Sequence, residues 1–185
     1  MSKVKLIATG FDDLLIVEVP KFGDARGYFS ETYNYRDLKS SGVDIRFVQD
    51  NQSKSSRGVI RGLHFQNKPH AQTKLVRVLS GSIWDVVLDL RKEKKTFGKV
   101  FQLEMSSEKG QQILVPKGFA HGFIVLSDSA EMLYKTDEFH SPETEGGVLF
   151  TDPALNIDWK IPLSEMIISD KDKKNPILAD AKFIF

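Results

Sequence analysis

Between residues 58 and 150 the chain alternates short apolar runs with turns that carry glycine or proline, and this rhythm constrains the fold most. Residues 74–79, 83–90, 100–105, 111–115, 123–126, 131–136 and 147–150 each read as a strand, and Ser80-Gly81 as a turn. Earlier in the chain, residues 14–19 (LLIVEV) form a first strand closed by Pro20. Residues 21–31 read as a loop leading into an extended segment, 35–41 as a short helix ended at Gly42, 45–50 as a strand, and 52–57 (QSKSSR) as a polar loop. Residues 156–159 and the tail beyond 169 look irregular, tied down by scattered apolar side chains. Many short strands with little helix predict an all-β jelly-roll sandwich or barrel with short peripheral helices. The whole chain, 1–185, reads as one such domain.

Two strands carry more than packing information. In residues 83–90, Trp84, Val86, Leu88 and Leu90 share an apolar face, while Asp85 and Asp89 lie on the other. That second face is either the lining of a polar cavity or the solvent side of an outer sheet. In GVIRGLHFQ (58–66), His64 stands between Leu63 and Phe65 and faces opposite to both. If those two pack into a core, the imidazole points into a cavity.

Composition narrows the function. Lys and Arg number 26 against 25 Asp and Glu, a net charge of +1, without the basic excess of a nucleic-acid binder. A local basic pocket for one phosphorylated ligand remains compatible with that balance. The absence of cysteine excludes disulfides, thiolate metal sites and cysteine nucleophiles. The first residues hold no long apolar stretch, and no later run approaches a membrane span, so a cytoplasmic protein is expected.

GQQILVPKGFAH (110–121) reads G-x5-P-x-G-x2-H and resembles the second motif of the cupin superfamily, with Val125 at the position of that motif's asparagine. Gly58-x5-His64 resembles the opening of the first cupin motif. Gln66 replaces its second histidine there, and His70 and Ala71 stand where its glutamate belongs. Two histidines without that carboxylate make a poor metal site, so a cupin without a metal or other cofactor is expected.

A closer resemblance comes from FGDARGYFSE (22–31), FVQDN (47–51), VIRGLHFQ (59–66), KLVRV (74–78), VPKGFAHGF (115–123), LYK (133–135), SPETEGG (141–147) and SDKD (169–172), in this order. Together they resemble the dTDP-4-dehydrorhamnose 3,5-epimerase family, whose members convert dTDP-4-keto-6-deoxyglucose on the route to dTDP-L-rhamnose. The resemblance implies catalysis by His64, Tyr134, Asp172 and Lys74. It implies substrate contacts from Arg26, Glu31, Gln49, Asn51, Arg61, Lys74, His121, His140, Glu145 and Lys171. Arg26 and Glu31 lie on a segment that in the family crosses into a neighbouring subunit, which implies a homodimer. Where the family has a Tyr-Tyr pair before Ser-Pro, this chain has Phe139-His140, so His140 takes the place of the tyrosine that stacks on the thymine ring.

The chemistry of such a reaction can be set against the residues directly. A ketone at C4 of a sugar acidifies C–H at C3 and C5, so inversion needs a base, a donor to the enolate and an acid on the other face. Histidine, with a pKa near neutrality, suits the base. The resemblance supplies Asp172 as its carboxylate; on the residues alone, Asp50, Asp85 and Asp89 are equal candidates. Lys74 opens an apolar strand, where a fixed charge suits a developing oxyanion. Tyr134 suits reprotonation of an enolate. The expected function is therefore 3,5-epimerisation of a dTDP-linked 4-keto-6-deoxysugar. A C3- or C5-only epimerase is the near alternative, and a metal-dependent dioxygenase or a non-catalytic sugar-nucleotide-binding cupin are the distant ones.

Overall fold

The structure, a computed structural model, describes residues 4–185 and is built almost wholly of strands. In chain order these are β1 (Lys5–Ala8), β2 (Leu15–Glu18), β3 (Phe22–Asp24) and β4 (Gly27–Phe29), followed by the helix α1 (Tyr35–Ser40). Next come β5 (Gln49–Ser56), β6 (Val59–Gln66), β7 (Lys74–Ser80), β8 (Ser82–Asp89) and β9 (Val100–Ser106). The series ends with β10 (Gln112–Val115), β11 (Phe119–Val125), β12 (Ser129–Thr136), β13 (Glu145–Gly147) and β14 (Ile167–Ile168). The first sheet has the order β1-β2-β10-β7-β12-β5; the second runs β13-β6-β11-β8-β9, with β14 beside β6. The hairpin β3–β4 stands apart from both.

Strand alternation sorts the apolar side chains into three layers. Val76 and Val78 of β7, Ile113 and Val115 of β10 and Met132 of β12 meet Ile83, Val87, Met105, Phe119, Phe123 and Val125 of the second sheet. The other face of the second sheet, with Ile60, Leu63, Phe65, Val86, Leu88 and Ile124, packs against Phe150, Trp159, Ile161 and the C-terminal tail. The other face of the first sheet, with Val17, Leu75 and Leu114, packs against Leu38 of α1 and Val43. Both sheets are thus covered on their outer faces, in a two-sheet jelly-roll sandwich with an inner gap between them.

Several expectations are corrected. Residues 52–56 are not a loop: β5 continues through them and pairs with β12 along its whole length, and the turn begins only at Arg57. Polar side chains suit this strand because it is an edge, and its burial alternates along Gln49–Ser56 as in any half-buried strand. The strand expected over 45–50 begins only at Gln49. Residues 21–31, expected as a loop, hold the exposed β3–β4 hairpin, and β1 was not anticipated. Asp89 lines no cavity and meets no solvent. It accepts from Arg91 Nε and Nη2 at 2.9 and 2.8 Å and from the Thr96 hydroxyl at 2.6 Å, a buried structural pair.

The local feature that matters most is a bulge in β6. His121 pairs with His64, but Phe123 pairs with Arg61, so three steps on β6 match two on β11. The extra residue turns both Arg61 and His64 toward the inner gap, where a regular strand would send them to opposite faces. Gly62, at φ +127° and next to a cis peptide to Leu63, stands against Gly122; a Cβ on Gly62 would lie 2.5 Å from Gly122 Cα. Only two facing glycines allow this approach.

Candidate active site

At one end of the inner gap the sheets part around a cavity of about 800 Å³, a size suited to a nucleotide-linked sugar. The first sheet contributes Asn51 and Ser53 of β5, Lys74 of β7 and Tyr134 of β12; the second contributes Arg61 and His64 of β6 and His121 of β11. Residues 167–172 close one side.

His64 Nε2 lies 2.5 Å from Asp172 Oδ1, across 108 residues of sequence. The parallel pairing of β14 with β6 explains the meeting. Ile168 is level with Ile60, and four residues further along each segment stand Asp172 and His64. Burial pushes the Asp172 carboxyl up. Hydrogen bonds from His64, Ser169 and the Gly62 backbone, with the charge of His64, outweigh it and hold the group below the usual carboxylate range. The carboxylate is therefore ionised at neutral pH and accepts the Nε2 proton, which leaves Nδ1 with its lone pair as the basic nitrogen.

On the opposite wall, burial raises the Tyr134 hydroxyl, Arg61 opposes this and Glu145 adds to it, so the phenol stays a proton donor through neutral pH. Lys74, on the strand next to that of Tyr134, is lowered to about 8, chiefly by burial, with Glu145 and Asp85 pulling the other way. A half-buried ammonium ion on the cavity wall is well suited to an anionic oxygen. The site thus sets a histidine–carboxylate pair and a phenol on facing sheets, with an ammonium ion beside the phenol.

Behind these lies a second His–Asp pair. His121 Nε2 is 2.8 Å from Asp85 Oδ2, with both side chains buried. Asp85, weighed in the sequence only as one carboxylate among several, thus backs a histidine of the cavity wall. Gln66, at the place of a second cupin histidine, is a buried structural hub. Its amide nitrogen donates to the carbonyls of His70 and Phe139, and its oxygen accepts from Ser141 N.

The remaining expected contacts form a rim. Gln49 donates to Asn51 and accepts from the His140 backbone. Glu145 holds Lys171 at 2.7 Å and His140 at 3.8 Å. Arg26 and Glu31 are not brought to the cavity; Arg26 pairs with Asp24 at the tip of the exposed hairpin. Ser53, Met132, Phe123, Ile167, Ile168 and Ser169 line the cavity without having been anticipated. Strand alternation from Asn51 to Ser53 and from Tyr134 to Met132 is the signal that could have found the first two. No helix among the described residues is long and apolar enough to cross a membrane.

Fold and site together point to an isomerase of the cupin class. The sequence profile of the dTDP-4-dehydrorhamnose 3,5-epimerase family matches residues 8–180. The dTDP-4-dehydrorhamnose 3,5-epimerase of Shigella flexneri is 45% identical over 181 residues, spanning 97% of this chain and 99% of that one. The crystal structure of the enzyme of the same name from Elizabethkingia anophelis superposes with a TM-score of 0.91 at 50% identity, covering 96% of this chain and 98% of that one. A Legionella pneumophila epimerase in complex with dTDP-4-keto-L-rhamnose gives 0.91 at 40% identity, covering 96% and 94%. The chain belongs to the dTDP-4-dehydrorhamnose 3,5-epimerase family.

Proposed function

We propose that the chain inverts C3 and C5 of dTDP-4-keto-6-deoxy-D-glucose, giving dTDP-4-keto-L-rhamnose, with His64 as base and Tyr134 as acid. The observation that carries this reading is the His64–Asp172 pair on one wall of a cavity whose opposite wall presents Tyr134 and Lys74. His64 Nδ1 takes the proton from C3 or C5, the electrons move onto the C4 oxygen, and Lys74 donates to that oxygen. Tyr134 then delivers a proton to the opposite face of the same carbon. Exchange with water restores both groups before the second centre reacts. No redox step and no covalent intermediate is needed.

Arg61 and Lys171 supply cationic contacts for the diphosphate, with Asn51, Gln49, His121 and Glu145 fixing the rest of the ligand. His140 lies at the rim, beside Glu145, where a flat ring would stack on the base. The working unit is a homodimer in which the β3–β4 arm reaches the neighbouring cavity and brings Arg26 and Glu31 to it. This arm exposes Phe22, Tyr28 and Phe29, aromatic surface that a partner would cover.

The test is incubation of the substrate with enzyme in heavy water. Deuterium should enter at both C3 and C5. Entry at one carbon would reduce the assignment to a mono-epimerase, and entry at neither would overturn it.

A further inference from the structure

The turn that delivers Asp172 to His64 is fastened to the second sheet on both sides. Before it, β14 lies parallel to β6, with Ile168 level with Ile60. After it, a single 3-10 turn, Asp172–Lys174, ends at Asn175, whose backbone N–H donates to the Asp172 carbonyl at 3.4 Å. The Pro176 carbonyl then accepts from Leu149 N at 2.7 Å, two residues beyond β13. This second fastening contains a polar side chain that the proton transfers above leave unused, that of Asn175.

The pairing of β13 shows where it lies. Gly146 and Gly147 stand opposite Phe65 and His64 of β6, and residues directly opposite in an antiparallel pair turn the same way. A Cβ on Gly146 would meet the Phe65 ring at 2.5 Å, on the face that packs against the C-terminal tail. A Cβ on Gly147 would meet the Asn175 carboxamide, at 2.5 Å from Nδ2 and Oδ1 and 2.6 Å from Cγ. The three distances are nearly equal, so Gly147 meets the flat side of the amide. Gly147 and His64 share a face, and the carboxamide therefore takes the place of a side chain beside the imidazole. Their pairing is of the close kind, because the hydrogen bonds between Leu63 and Val148, at 2.9 and 3.3 Å, belong to the next pair along. On the other side of His64, in the same row, stands His121 of β11.

The carboxamide occupies this place at a cost. Asn175 Nδ2 is buried with no hydrogen-bond partner among the described residues, and an aliphatic side chain would fill the space without a bare donor. What asparagine contributes is a short, flat group that lies flush on the glycine. Resting on the assignment of His64 as the base, we propose that Asn175 is a positioning residue for the proton transfer. Seated on Gly147 beside His64, its carboxamide sets the depth at which the turn docks and so keeps Asp172 on Nε2 of the imidazole. Asn175 lies outside the cavity lining and acts only through this pair. The hydrogen bond across the turn joins its backbone to that of Asp172, so a shift of the amide is passed to the carboxylate.

The contact can be broken from either side, which supplies the test. Gly147→Ala sets a methyl group against the carboxamide, the far end of a side chain that can be pushed aside while the strand stays paired. Asn175→Ala empties the place instead. Each alone should lower kcat about 10- to 100-fold, the scale of a misplacement of about 1 Å, with KM within about threefold. Combined, the methyl group at 147 fills the space that the amide has left, so the double variant should lose less than either single one. The nitrogen chemical shifts of the His64 ring, measured without substrate, give a second readout. They should report the Nε2–H tautomer in the unaltered chain, move toward a mixture of tautomers in each single variant, and return in the double one. Losses that simply multiply in the double variant, or ring shifts unmoved in the single ones, overturn the proposal. Should Asn175→Ala fail to fold, Asn175→Ser is read in the same way. Absence of deuterium entry in the unaltered enzyme would sink the proposed reaction instead, while the ring shifts still decide the role of Asn175.

Discussion

The molecule holds two His–Asp pairs in one cavity, alike in composition and unlike in setting. His64 keeps 27% of its side chain exposed, and its carboxylate, Asp172, arrives on a turn after β14 with further hydrogen bonds from Ser169 and Gly62. His121 keeps 8% and Asp85 none, both on the regular ladder of β11 and β8, and Asp85 Oδ1 receives no hydrogen bond among the described residues. The first pair is open to a ligand and tied down from behind. The second is sealed, with one oxygen bare. A base must reach its proton and be restored by water, so exposure with a supported carboxylate suits His64. Asp85, sealed from water, reaches the cavity only through the histidine it holds.

The sharpest way to break this comparison is to remove each histidine in turn. His64→Asn should lower deuterium entry at both carbons by ~10³-fold or more, within the range for a lost general base, while dTDP binding and thermal melting stay near those of the unaltered chain. Asp172→Asn should cost nearly as much, ~10²–10³-fold, because the imidazole loses the acceptor that fixes its tautomer. His121→Asn should cost less, about 10–100-fold, as expected for a wall residue that positions the ligand without moving its protons. Equal losses at His64 and His121 would erase the distinction.

The bulge offers a structural counterpart. Gly62→Ala forces a Cβ to within 2.5 Å of Gly122 Cα at a φ of +127°. The two strains together should destabilise the fold by about 3 kcal/mol, read as a lower melting temperature. The bulge carries His64 on one strand and borders His121 on the other, so residual folded protein should show both His–Asp contacts disturbed.

Lys74 adds a pH signature of its own. In the proposed reaction its ammonium form is the active one, so the rate should hold below about pH 8 and fall about tenfold per unit above it. The sign for stability is the reverse. With a folded-state value of about 8 against 10.5 when unfolded, the buried charge weakens the fold below pH 8, and that penalty is relieved as pH rises toward 10.5. Lys74→Arg should abolish the alkaline limb, whatever rate remains.

How much of this was legible in the sequence depends on what kind of signal each element carries. Apolar strands such as β7, β8 and β12 announce themselves by period two, and the inward faces of Lys74 and Tyr134 follow from the same alternation. β5 escaped because it lies at a sheet edge and buries polar side chains toward a polar cavity; period two was present, without the apolar residues that usually reveal it. Asp172 could be reached only through resemblance. Its partnership with His64 depends on two residues of parallel pairing in a tail that otherwise has no periodicity. The bulge was hidden for another reason: Gly62 and Gly122 each look like an ordinary strand glycine, and only their meeting gives them meaning. Asp85 was visible as a carboxylate opposite the apolar face of its strand, which left cavity lining and solvent side both open, and nothing local links it to His121, which is 36 residues away.

The smallest expected effect probes the support that one pair has and the other lacks. Ser169 lies three residues before Asp172; its hydroxyl accepts from the Asp172 backbone at 3.1 Å and also steadies the carboxylate. Ser169→Ala removes that support while leaving both members of the pair in place. A single hydrogen bond to a charged group that water can partly replace is worth about 1 kcal/mol, so kcat should fall about fivefold. KM should stay within about twofold if Ser169 serves Asp172 alone. A rise in KM with kcat unchanged would place Ser169 on the substrate instead. Loss of both by a hundredfold or more would mean that the turn carrying Asp172 needs this hydroxyl to form, and that the open pair is as dependent on its backbone as the sealed pair is on its ladder.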